Sequence, residues 1–195
     1  MKITRKLFIT AAVLLIIQSF TIMAFAETEK QKYRVVRSEK EFEIRFYPSA
    51  ILATVYSDAS NYRELAYPGF RKLAGYIFGG NESETKISMT SPVHMDMDTA
   101  SMSFVMPSSF SEENLPMPDD PGVKIERTDD VYVAAVRFGG YASDKDIRRY
   151  SEKLRSLLAV KGIKSYGNFR YLGYNPPFQP FGRRNEIIVN VEWKE

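Results

Sequence analysis

Phe42, Ile44 and Phe46 alternate with Glu43, Arg45 and Tyr47, a period of two that predicts a half-buried strand ending at Pro48. A second strand is expected over 51–56. The period then changes: Phe70, Leu73, Ala74 and Ile77 recur at helical spacing and form one apolar stripe. Pro68 suits the first turn of that helix, with a start near Asn61 as the alternative, and Gly79 and Gly80 end it. Strands are expected over 86–90, 93–98 and 101–106. Segment 112–122, with three prolines and four acidic residues, reads as a loop. The order then repeats. Strands over 123–127 and 131–138 precede an amphipathic helix over 144–159, whose apolar face is Ile147, Tyr150, Leu154, Leu157 and Leu158. Ser143 is its N-cap and Gly162 follows its end. Closing strands are expected over 169–174 and 186–193. Strand, helix, strand, strand thus occurs twice, each helix preceded by an A-x-V strand (Ala53–Val55, Ala134–Val136). The pattern predicts a weak internal duplication, with two helices packed on one antiparallel sheet or open barrel.

The stretch Tyr174–Glu186, Y-N-P-P-F-Q-P-F-G-R-R-N-E, breaks both periods. Pro176, Pro177 and Pro180 remove backbone donors and fix φ, so the segment is a stiff irregular loop. Its Phe178 and Phe181 either tuck beneath the loop or form the lip of an apolar pocket.

The N-terminus is set aside from the fold. Lys2, Arg5 and Lys6 precede an apolar run over 7–17, and Ala24-Phe25-Ala26 supplies the small residues of a signal peptidase site. A signal peptide over 1–26 and one domain over 27–195 are expected, giving an exported protein in the periplasm or outside the cell. An anchor formed by an uncleaved N-terminal helix is the alternative. Removing 26 of 195 residues leaves 169, enough for one domain with a proper core. It also removes three of 27 basic residues, leaving 24 against 24 acidic ones, so the basic pI of the whole chain is no argument for nucleic-acid binding. With no cysteine, disulfides, thiol catalysis and zinc–thiolate sites are excluded.

Candidate chemistry is sparse. The one histidine, His94, would share a strand face with Asp96 and Asp98, and side chains along one strand seldom converge on a metal. A solvated strand face is the expectation. The methionines beyond the leader (Met89, Met95, Met97, Met102, Met106 and Met117) lie in one stretch and read as core filler or pocket wall, with copper(I) binding as the lesser alternative. No G-x-S-x-G motif appears. Arg183 and Arg184 form a solvated turn, a pair for Glu186, or a clamp for a ligand carboxylate.

Four motifs in register, G-F-R-K-L-A-G-Y-I-F-G-G-N (69–81), K-I-S-M-T-S-P-V (86–93), F-G-G-Y (138–141) and the 174–186 loop, resemble the SOUL heme-binding protein family. The resemblance runs from about Tyr33 to Trp193. It implies an α+β fold: a distorted antiparallel β-barrel with two outer helices, built from a duplicated β-α-β-β unit and similar to bacterial effector-binding domains. It also implies non-covalent, reversible binding of heme or a related tetrapyrrole in a shallow apolar cleft without a fixed axial ligand. Carried onto this chain, the helix side of the cleft is Tyr67, Phe70, Arg71, Ala74 and Phe78. The loop side is Phe178, Gln179, Phe181 and Arg183. Mammalian relatives carry basic residues where this chain has Tyr67 and Gln179, so cleft shape is better matched than charge. The expected function is a monomeric, non-enzymatic tetrapyrrole carrier or scavenger with no nucleic-acid partner. The alternative is an enzyme or effector-type domain acting on another small amphipathic molecule in the same cleft, with Tyr67, Gln179 and Glu186 as its polar groups.

Overall fold

The computed structural model describes residues 28–194, so the expected leader lies outside the described residues. In chain order the elements are β1 (Glu29–Lys30), β2 (Arg34–Ser38), β3 (Glu43–Tyr47), β4 (Ile51–Tyr56), α1 (Tyr62–Ile77), β5 (Thr90–Ser91), β6 (Val93–Asp96), β7 (Ser101–Val105), β8 (Val123–Arg127), β9 (Val131–Phe138), α2 (Asp144–Val160), β10 (Ser165–Gly173) and β11 (Asn185–Val191). Nine strands form one antiparallel sheet in the order β2-β3-β9-β11-β10-β6-β7-β4-β8, and β1 pairs in parallel with β5.

That order carries the duplication. The first unit is β3, β4, α1, β6, β7, and the second is β8, β9, α2, β10, β11. Reading inward, one flank runs β3, β9, β11, β10 and the other β8, β4, β7, β6. Each flank is therefore first, second, fourth, third strand of its unit, with the first strand contributed by the opposite unit. A pseudo-twofold axis passes between β10 and β6. The A-x-V pairs sit at equivalent places: Ala53 and Val55 face Phe104 and Met102, while Ala134 and Val136 face Val189 and Ile187. All eight are buried in the main core between the sheet and the helices.

The sheet does not close into the barrel that the resemblance implies. Among the described residues β2 pairs only with β3, and β8 only with β4. Both edges carry charge (Arg34 and Arg37; Lys124, Glu126 and Arg127), which disfavours further strand pairing. A second, smaller core of Tyr47, Val133, Ala135, Leu172 and Ile188 covers the sheet face away from the helices. Residues 28–33 cross near this face as a strap. Gln31 N–H donates to Ser91 O (2.8 Å), and the Tyr33 ring lies 5.1 Å from that of Tyr47.

The helix α1 starts at the earlier of the two expected points. Asn61 accepts from Glu64 N–H (3.1 Å) while Glu64 accepts from Ser60 N–H (2.9 Å), a reciprocal cap. Pro68 thus lies inside the helix, on its exposed side, where the carbonyl freed by its missing N–H can meet water. The helix ends at Ile77, with Phe78 as its cap and Gly79 at a φ of +113°. Glycine is required at position 80, because a Cβ there would stand 2.7 Å from Gly75 O. Gly69 lets α1 approach β7, since its missing Cβ would lie 3.3 Å from Met102.

Two expectations are corrected. His94 is not on a solvated face: it is buried, and its Nε2–H donates to Gln31 Oε1 at 2.7 Å. The strap covers it, and β6 ends at Asp96, leaving Asp98 in the following turn. The strand expected over 86–90 reduces to an isolated bridge from Lys86 to Phe78 and the short β5.

Candidate functional site

The outward arc of α1 places Arg63, Tyr67, Phe70, Ala74 and Phe78 at intervals of four, three, four and four, one line along a 3.6-residue helix, with Arg71 beside it. The helix buries Leu65, Gly69, Leu73, Tyr76 and Ile77 on the adjoining arc. The line itself stays open: Tyr67 is 73%, Phe70 40% and Phe78 67% exposed. Phe70 is edge-on to the core residue Phe104 (centroids 5.3 Å apart), so it is anchored as well as accessible.

The duplication supplies an internal comparison. The outward face of α2 carries Lys145, Arg148, Arg149, Glu152, Arg155 and Ser156, with no aromatic residue among them. The turn joining β6 to β7 spans only 97–100, whereas its counterpart between β10 and β11 spans 174–184 and exposes Phe178 (82%) and Phe181 (84%). Folding requires neither feature, because the other half of the molecule folds without them. Each aromatic left in water forgoes the gain of burial, about 1.5–3 kcal/mol for a whole side chain. Exposed apolar groups gathered on one element of each kind make a candidate binding surface.

The loop is held from within. Arg183 Nη1 donates to Pro176 O (2.7 Å) and Gln179 O (2.9 Å), and its guanidinium lies 4.4 Å above the Tyr141 ring. The Gln179 amide donates to Phe181 O (2.9 Å) and accepts from Asn175 (3.0 Å). Tyr141 OH donates to Pro177 O at 3.3 Å. The polar groups of Gln179 and Arg183 are thus engaged in shaping the loop, and Arg183 Nε–H, buried, has no acceptor.

Helix and loop are tied at one end of the fold through Tyr171. Its ring meets Tyr62 of α1 edge-on at 5.5 Å, and its OH donates to Asn185 Oδ1 (2.7 Å) at the root of the loop. Asn185 in turn donates to Gly140 O (2.8 Å), and Tyr62 N–H donates to Asp144 Oδ1 (2.7 Å) at the start of α2. Burial pushes the Tyr171 hydroxyl well above its ordinary pKa, so it stays a neutral donor. The structure therefore links the start of α1 to the root of the loop, while the aromatic side chains of both stay open to solvent. Among the described residues, two depressions of the surface lie elsewhere, one lined by residues 29–32 of the strap and the other by Tyr33.

Arg184 has two of its three donor nitrogens taken up inside the fold. It donates to Glu186 through Nε (2.9 Å) and Nη2 (2.8 Å), and to Tyr33 OH (2.9 Å). Glu186 is fully buried and also accepts from both Nη atoms of Arg45 (2.7 and 3.1 Å) and from Tyr174 OH (2.9 Å). Burial alone would raise its pKa, yet the two guanidiniums outweigh burial and hold the carboxyl below its ordinary range. A carboxylate so saturated is a structural anion and has no free lone pair for acid–base work. Among the methionines, Met95, Met102 and Met106 are buried in the main core and Met117 is exposed. His94 is next to Met95 in a strand, so the two point to opposite faces, and thioethers and imidazole do not gather. Among the described residues no group of three or more His, Asp or Glu could hold a metal ion.

Sequence reasoning missed Tyr141 and Arg63. Tyr141 lay within the quoted F-G-G-Y motif, and Arg63 lies four residues before Tyr67 on the same line. Arg63 and Arg71 make no ion pair or hydrogen bond among the described residues.

Comparison with known proteins gives the relatives of this chain. Heme-binding protein 1 of Xenopus laevis is 30% identical over 164 residues, 78% of this chain and 86% of the relative. Heme-binding protein 2 of Mus musculus is 30% identical over 156 residues, covering 75% and 76%. At the level of fold alone, the EcmrR C-terminal domain superposes with a TM-score of 0.58 at 11% identity, over 82% of this chain and 98% of that one. A hydrolase from Listeria innocua gives 0.52 at 12% identity, over 80% and 94%. The model of the SOUL heme-binding protein family matches residues 28–190, and the chain belongs to that family.

Proposed function

We propose that this protein binds heme or a related tetrapyrrole, reversibly and without covalent attachment, on the aromatic surface formed by α1 and the β10–β11 loop. The observation that carries the reading is the asymmetry of the duplicated fold: exposed Tyr67, Phe70 and Phe78 on one helix, against an outer face without aromatics on its counterpart. Family membership and relatives named as heme-binding proteins support the choice of ligand. The residues suit a flat ring. Phe70 and Ala74 offer the floor, Tyr67 and Phe78 extend it along the helix, and Phe178 and Phe181 offer a lip. Arg63 and Arg71 are the uncommitted cations beside the surface and would meet acidic side groups of the ring, while Gln179 and Arg183 hold the loop in shape.

Affinity then comes mainly from apolar area, at about 25 cal/mol per Å² before ordering costs, and needs no bond to iron. His94 lies in the interior, bonded to Gln31, away from this surface. Bound heme would supply its own iron chemistry; the chain supplies holding and release, so we propose a carrier or scavenger that does not act as an enzyme. Export through the N-terminal leader belongs to the same proposal, and among the described residues no helix is long and apolar enough to cross a membrane.

The test is a Phe70→Ala, Phe178→Ala double variant. Hemin affinity should fall at least about tenfold, the equivalent of 1.4 kcal/mol, with circular dichroism unchanged. Unchanged affinity in a folded variant would place the ligand elsewhere.

A further inference from the structure

The strap and the edge of the sheet enclose a second, polar cleft of about 440 Å³, lined by Tyr33, Arg45, Arg137, Lys153, Arg184 and Glu186, together with residues 39–43. Its charges can be accounted for one by one. Glu39 holds Arg37 and Lys161, and Glu41 holds Lys153 at 2.6 Å. Glu43 holds Arg45 Nε at 2.7 Å, and Glu186 holds Arg45 and Arg184. Every carboxylate in the wall therefore already has its cation, while Arg137 and Lys40 make no ion pair or hydrogen bond among the described residues. Arg137 is the cross-strand partner of Glu186, so it stands directly beside the Arg45–Glu186–Arg184 cluster. That cluster is committed, and Arg184 Nη1 makes no hydrogen bond among the described residues.

We propose that this cleft binds a small oxyanion, a phosphate or carboxylate group, gripped by the Arg137 guanidinium with help from Arg184 Nη1 and Lys40. A guanidinium presents paired donors that match two oxygens of such a group. Each wall carboxylate already holds a cation, which weakens its pull on a second one, and the apolar residues of the wall exclude part of the water that would screen the charge. The site lies apart from the aromatic surface and does not depend on what binds there.

Calorimetric titration of the domain with inorganic phosphate and, separately, malonate tests it at low ionic strength. Saturable binding of either is expected, and which one binds more tightly distinguishes a phosphate from a carboxylate ligand. Arg137→Gln should weaken that binding at least tenfold, while Lys124→Gln, which removes an equal charge from β8 at the far edge of the sheet, should leave it unchanged. No saturable binding of either anion would overturn the proposal. So would equal losses in the two variants, or preferential binding of tetramethylammonium.

Discussion

Glu186 is where the second face of the sheet is most exposed to damage. It accepts from two guanidiniums and one tyrosine while fully buried. Glu186→Gln keeps the shape but strands Arg45, itself buried, with only Glu43; stability should fall by about 3 kcal/mol. Urea denaturation measures this, and a loss under about 0.5 kcal/mol would contradict the role. His94 gives a pH signature. Burial first, and the nearby Arg170 second, depress its pKa to about 3. The native state therefore holds His94 neutral, and the unfolded chain takes up a proton below about 6.5. That contribution is complete above pH 6.5 and drains away as pH falls toward 3, at no more than about 1.4 kcal/mol per unit. Glu186, with its lowered pKa, adds a further loss in acid below its ordinary range. Melting temperature should drop between pH 6.5 and 4, and His94→Gln should flatten the upper part of that slope. At this scale the sequence showed the aromatic residues of the surface but not their exposure. It offered the Arg184–Glu186 pair only as one reading, because Arg45 is 141 positions from Glu186 and no local pattern links them.

The elements with strong periodicity were the legible ones. Both helices, β3, β4, β8 and β9 lie where the apolar spacing put them, since each has one face on the core. β1 and β2 were not foreseen: the exposed sequence R-V-V-R-S has no alternation to read, being an edge strand that buries little. β10 begins at Ser165, earlier than its apolar residues suggest, because its exposed first residues pair with β11 across an irregularity between Tyr166 and Arg170. Glycine at position 80 was read as a helix stop, and the geometry makes it obligatory. Gly80→Ala puts a Cβ 2.7 Å from Gly75 O and should cost about 2 kcal/mol, or roughly 5 °C in melting temperature. An unchanged melt would mean that the end of α1 yields without cost. The contrast between α1 and α2 also belongs here: two helices of equivalent place and similar length differ in what they show to solvent.

For the molecule as a whole, the repeat of strand, helix, strand, strand foretold the duplication, and the strand order places a pseudo-twofold axis at its centre. Sheet closure was not legible, since it depends on whether two edges meet, and charged edges keep them apart. The aromatic line on α1 and the long loop both break the pseudosymmetry, at a cost in exposed apolar surface that folding does not require. Parallel titrations with hemin and metal-free protoporphyrin, followed by absorbance and by quenching of Trp193 or tyrosine fluorescence, test this account most directly. Both ligands should bind saturably, with affinities within about tenfold of each other, or 1.4 kcal/mol, because the ring face and not the iron is held. No saturable change with either ligand would contradict the account, as would binding of hemin alone.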